Sequence, residues 1–93
     1  MRTIEYATAF KRDFKRVRSS PRHKDIESIL SDVLRRLISD EVLEMGQRDH
    51  ALTGNWSGYR ECHLKPDLLL IYRKPDSGTL RLARLGSHSE LFR

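Results

Sequence analysis

Hydrophobic positions along the chain follow two periods, and the change from one to the other divides it. In Arg2–Tyr6, Ile4 and Tyr6 alternate with polar neighbours, the period of a short strand. Phe10, Phe14 and Val17 then fall at i, i+4 and i+7 on one helical stripe, and Lys11, Arg12, Lys15, Arg16 and Arg18 fill the rest of that helix. Ser19, Ser20 and Pro21 break it. A second, clearer helix carries Ile26, Ile29, Leu30, Val33, Leu34, Leu37 and Ile38 at three- and four-residue spacing. Its outward face holds Glu27, Ser28, Asp32, Arg35 and Arg36. From Asp40 to Trp56 the periodicity lapses, and Gly46, Gly54 and Asn55 predict a loop. Strand signals return at Tyr59–Leu64, Leu68–Lys74 and Thr79–Leu85, separated by the turn sequences Lys65-Pro66-Asp67 and Pro75-Asp76-Ser77-Gly78. Connections this short imply antiparallel neighbours. Ser87-His88-Ser89-Glu90 fits a capping box that opens a final helical turn with Leu91 and Phe92. The order β-α-α-β-β-β plus that turn predicts an α+β fold, an antiparallel sheet with two helices packed on one face.

Ninety-three residues make one domain, 1–93, with a modest core and no room for a second. Hydrophobic residues at 38% and charged residues at 33% describe a folded protein. The net charge of +5 is unevenly spread. Residues 1–24 carry +6, residues 25–55 carry −4 and residues 56–93 carry +3. That distribution points to a directed electrostatic face and an anionic partner, nucleic acid or an acidic protein. Cys62 is the only cysteine, so no internal disulfide forms and a reducing cytoplasm is the expected setting. The longest apolar run, Leu68–Ile71, is far too short to span a membrane, and Glu5 and Lys11 interrupt the place of a signal peptide.

Four histidines raise the question of metal. His23 lies in the turn between helices and reads as a solvated surface residue. Cys62 and His63 are adjacent on a strand, so their side chains leave opposite faces and do not ligate one ion in regular geometry. No Cys or His pair has zinc-ligand spacing, so no metal or other cofactor is expected. Acid–base chemistry fits better. RNA is cleaved without metal when a base takes the proton of a ribose 2′-hydroxyl and an acid protonates the leaving 5′-oxygen, and histidine suits both roles near neutrality. His50 ends the loop, His63 lies on a strand, Asp67 sits in the following turn and His88 opens the last helical turn. These places at element ends allow side chains to converge on a cleft, and a helix N-terminus at His88 favours a bound anion. The plain alternatives are solvated loop histidines and an ordinary turn aspartate. Trp56, Tyr59 and Phe92 suit base stacking or core packing, and the basic face of the first helix suits solvent or a phosphate track.

The stretch His50-Ala51-Leu52-Thr53-Gly54-Asn55-Trp56-Ser57-Gly58-Tyr59-Arg60-Glu61-Cys62-His63, followed by Pro66-Asp67 and the strand through Leu70-Ile71-Tyr72, resembles the YafQ toxins of the RelE/ParE superfamily. The ending Gly86-Ser87-His88-Ser89-Glu90-Leu91-Phe92 is similar to theirs, as are Ile4-Glu5-Tyr6 and Arg22-His23-Lys24-Asp25. The likeness covers nearly the whole chain; the turn Pro75–Gly78 departs from it by being slightly longer. It implies a microbial-ribonuclease-like RelE fold, a toxin that cleaves mRNA in the A site of the 70S ribosome, and a small DinJ-type antitoxin. By motif, His50, His63, Asp67 and His88 are the implied catalytic residues, with Phe92 and Trp56 at the RNA. His88 is then the general base and His50 the general acid, or the reverse, while His63 and Asp67 orient the phosphate and hold protonation states. Lys11, Arg12, Lys15 and Arg16 are candidates for ribosomal RNA contacts. Two other readings compete: a ParE-like inhibitor that poisons DNA gyrase by binding, and a plain RNA-binding module.

Overall fold

Strands β1 (Thr3–Tyr6), β2 (His50–Ala51), β3 (Arg60–Lys65), β4 (Leu68–Arg73) and β5 (Thr79–Gly86) form one sheet in the order β1-β5-β4-β3-β2. The chain is seen here in a computed structural model that describes residues 1–92. Helices α1 (Thr8–Arg18) and α2 (Ile26–Ile38) follow β1, and α3 (His88–Leu91) follows β5. Phe10 and Val17 of α1 and Ile26, Leu30, Val33 and Leu37 of α2 bury against Leu70, Tyr72, Leu80 and Leu82 on one face of the sheet. The other face carries Leu69, Ile71, Ala83 and Leu91, flanked by the half-buried Leu52, Trp56, Tyr59 and Phe92. Strand β4 is central, and its unbroken apolar run records burial on both faces. Each such leucine or isoleucine stabilises the fold by about 1.5–3 kcal/mol relative to exposure.

Two expectations change. The sheet is mixed: β1 runs parallel to β5, with Thr3 opposite Thr79 and Tyr6 opposite Leu82, while the other pairs are antiparallel. Short connections dictate direction only for the consecutive strands β3, β4 and β5. No hairpin ties β1 to a neighbour, so that reasoning did not reach it. The segment expected to be a loop from Asp40 to Trp56 contains β2, which pairs with β3 through His50 opposite Glu61 and Ala51 opposite Arg60. Two residues are too few to show alternation.

Because β1 stops at Tyr6, the edge of β5 is open beyond Leu82, and α1 closes it. The Leu85 N–H donates to Asp13 Oδ2 (3.1 Å), and the Leu85 carbonyl accepts from Arg16 Nη2 (3.0 Å). Asp13 is fully buried and also accepts from Arg84 Nε at 2.6 Å and Arg16 Nη1 at 2.9 Å. Burial alone would raise its carboxyl, but the bonds from Arg84, the Leu85 amide and Arg16 outweigh that and hold it below its ordinary value. Asp13 and Arg16 thus do for β5 what a further strand would have done. His23 also departs from expectation. It is half-buried, its Nδ1 has no partner among the described residues, and burial, then Lys65 and Arg22, lower its pKa.

Candidate active site

Register builds the site. Because β2 and β3 set His50 opposite Glu61, and His63 follows Glu61 by two residues, the three side chains share one face. Cys62 points the other way into the helix-side core, its thiol pushed up to about 12 by burial and then by Asp49 and Glu61. It is therefore an inert packing residue. Glu61 is buried, with Oε1 3.3 Å from His63 Nε2 and 3.8 Å from His50 Nε2. His50 Nδ1 lies 2.8 Å from the Arg48 carbonyl oxygen. A carbonyl only accepts, so Nδ1 carries the proton, and a neutral His50 presents its lone pair at Nε2.

On the neighbouring element, α3 opens with the capping box read from the sequence. The Ser87 hydroxyl accepts from the Glu90 N–H at 3.3 Å, and Glu90 Oε1 accepts from the Ser87 N–H at 2.8 Å. Asp67 Oδ1 accepts from the His88 N–H at 3.3 Å. The anion that this helix N-terminus holds in the structure is therefore Asp67 itself, at the His88 amide. The His88 ring stands 5.0 Å from that of Phe92, tilted by 42°.

His50, Leu52, Thr53, Trp56, Glu61, His88 and Phe92 line one cleft of about 340 Å³. Trp56 forms part of its wall, held edge-on against Tyr59 at 5.2 Å. Of the residues expected from sequence, His50, His88, Trp56 and Phe92 meet here. His63 opens on an adjacent recess beside Arg48 and Lys65 and joins the cleft through Glu61. Asp67 joins through the His88 amide and faces a separate cavity of about 490 Å³ with Arg16, Arg22 and His23. Glu61 was missed, although a signal existed: an acid two residues before His63 on an alternating strand must share its face. The apolar stripe of α1 packs into the core on the helix side of the sheet, and none of Lys11, Arg12, Lys15 and Arg16 lines the cleft. Arg16 is moreover held by Asp13, the Leu85 carbonyl and Glu90. Among the described residues, no group of three His, Cys, Asp or Glu side chains is disposed to hold a metal ion.

The whole chain has close relatives. A family model described as the bacterial toxin of type II toxin–antitoxin system, YafQ, matches residues 2–93. The mRNA interferase toxin YafQ of Escherichia coli (strain K12) is 39% identical over 92 residues, covering 98% of this chain and 96% of that one. A chain in the crystal structure of the E. coli DinJ–YafQ complex is 38% identical, with both chains covered completely and a TM-score of 0.86. A metal-bound toxin from Helicobacter pylori is 42% identical, with 99% of this chain and 100% of that chain covered and a TM-score of 0.84.

Proposed function

The chain belongs to the YafQ family of bacterial type II toxins, and from that premise we propose that it is an mRNA interferase that cleaves messages in the ribosomal A site. The observation that carries this reading is the meeting of His50 and His88 in one cleft, beside the buried carboxylate of Glu61. A base and an acid on opposite sides of a phosphodiester are what the reaction needs. His88 takes the proton from the ribose 2′-hydroxyl, the 2′-oxygen attacks phosphorus, and the P–O5′ bond breaks. His50 protonates the departing 5′-oxygen, leaving a 2′,3′-cyclic phosphate and a 5′-hydroxyl. The same geometry serves the two histidines with roles exchanged. The held proton on His50 Nδ1 directs its Nε2 to the reaction, and Glu61 is placed to attract a positive charge on either neighbouring ring.

His63 shares Glu61 and so fixes the carboxylate that faces His50. Asp67, an anion, is a poor holder of phosphate; its work is to seat α3 and so aim His88. Trp56 and Phe92 form walls on which a base stacks. The DinJ–YafQ complex of the relative supports a small antitoxin as the partner of this chain. The exposed Lys11, Arg12 and Lys15 on α1 are available for ribosomal RNA, a contact distinct from the cleft and sensitive to salt. No helix among the described residues is long and apolar enough to cross a membrane, and a ribosomal target places the protein in the cytoplasm. Gyrase poisoning by binding, the ParE-like alternative, has no use for a histidine cleft.

The test is His88→Ala. Cleavage of a translated message, mapped at its new ends, and growth inhibition are both expected to vanish while antitoxin binding persists. A variant as toxic as its parent refutes the proposal. Ribosome dependence is checked separately: a translated message should be cut far faster than the same RNA naked, and equal rates refute that part.

A further inference from the structure

The register that sets His50 against Glu61 rests on a two-residue strand, and the groups that hold this strand lie on its other side. Ala51, Arg60 and Tyr72 stand in one row across β2, β3 and β4; His50, Glu61 and Ile71 stand in the next. Adjacent rows project to opposite faces. Accordingly, Tyr72 packs in the core beneath the helices and Ile71 in the core on the cleft side. Asp49, the residue before β2, accepts from the Tyr72 hydroxyl at 2.5 Å and from Arg60 Nε at 3.2 Å. Tyr72 is 1% exposed, and burial, then Asp49, push its phenol well above the usual range, so it stays a proton donor. Beyond β2 the Leu52 N–H continues the register to the Tyr59 carbonyl at 2.9 Å. So short a ladder leaves the register to be fixed by side chains, and a slip of one residue would exchange the faces of His50 and Ala51.

We propose that the Tyr72–Asp49–Arg60 clamp sets the register of β2 and thereby aims His50 into the cleft. Tyr72 is thus a positioning residue for cleavage, acting from β4 through Asp49 although its hydroxyl lies away from the RNA. The inference rests on the reading of His50 as part of the catalytic cleft. Tyr72→Phe removes one oxygen and keeps the buried ring, so the core is preserved.

The experiment compares the parent, Tyr72→Phe, His50→Ala and the double variant in single-turnover cleavage of a translated message, with thermal melting alongside. Tyr72→Phe should lower the rate on the order of tenfold to a hundredfold, the scale of a misplacement of about 1 Å. KM and melting should change little, and the same substitution should have no further effect once His50 is alanine. NMR supplies a readout independent of activity. The His50 Nδ1–H resonance, protected by the Arg48 carbonyl and assigned by its loss in His50→Ala, should exchange faster in Tyr72→Phe. An unchanged resonance, or the same proportional loss of rate with and without His50, overturns the clamp while leaving the cleft intact. If His50→Ala cleaves like the parent, the reading of the cleft itself is wrong, and the clamp falls with it.

Discussion

Glu61 stands between His50 and His63 with one carboxylate oxygen facing both rings, its side chain only 7% exposed. Glu61→Gln keeps its shape and removes its charge. Single-turnover cleavage should fall on the order of a hundredfold, near the lower end of what a positioned acid or base contributes. An unchanged rate would reduce Glu61 to a packing residue. The histidines themselves were legible, because residue type and motif single them out. Glu61 was legible beside His63 through strand alternation, but its meeting with His50 was not, since that depends on the β2 register and two residues carry no periodic signal. Arg16 shows the same limit from the other direction. In sequence it is one of several cations on α1, alike with Lys15. Only the packed fold gives it Asp13, Leu85 and Glu90 as partners and leaves Lys15 in water.

At the level of elements, both long helices, the capping box of α3 and the three consecutive strands were readable from period and turn chemistry, with ends displaced by about a residue. The junction of β5 and α3 was not. A Cβ added at Gly86 would lie 2.9 Å from Arg16 Nη2, 3.0 Å from Glu90 Oε1 and 3.3 Å from Leu91 Cδ2. Neither charged group moves freely, since Arg16 is bonded to the Leu85 carbonyl and Glu90 to the Ser87 amide. Gly86→Ala should therefore displace α3, costing about 1–3 kcal/mol by overpacking. Because α3 carries His88, cleavage should suffer more than the urea midpoint does. Wild-type activity in a folded Gly86→Ala protein would show that His88 tolerates the shift.

Across the whole molecule, the sheet separates a helix layer, pinned by Asp13, from a cleft layer that carries His50, His63 and His88. Overall charge pointed to an anionic partner but did not reveal that the most basic helix contributes no residue to the cleft. Asp13 predicts the acid response. Its pKa is depressed in the folded state, so its contribution is full above the ordinary value of 3.8 and is lost as the pH falls from there toward the lower folded value. Urea midpoints should drop over that interval. Asp13→Asn should cost about 3 kcal/mol at neutral pH, as breaking a buried pair does, and should flatten the decline. A decline as steep in the variant would assign it to other carboxylates. The parallel pairing of β1 with β5 has a consequence in time as well as in space. As the chain emerges from the ribosome, β1 waits with no neighbour until β5 appears, and His88 and Phe92 follow later still. A nascent chain interrupted before His88 and Phe92 therefore lacks two of the residues that line the cleft.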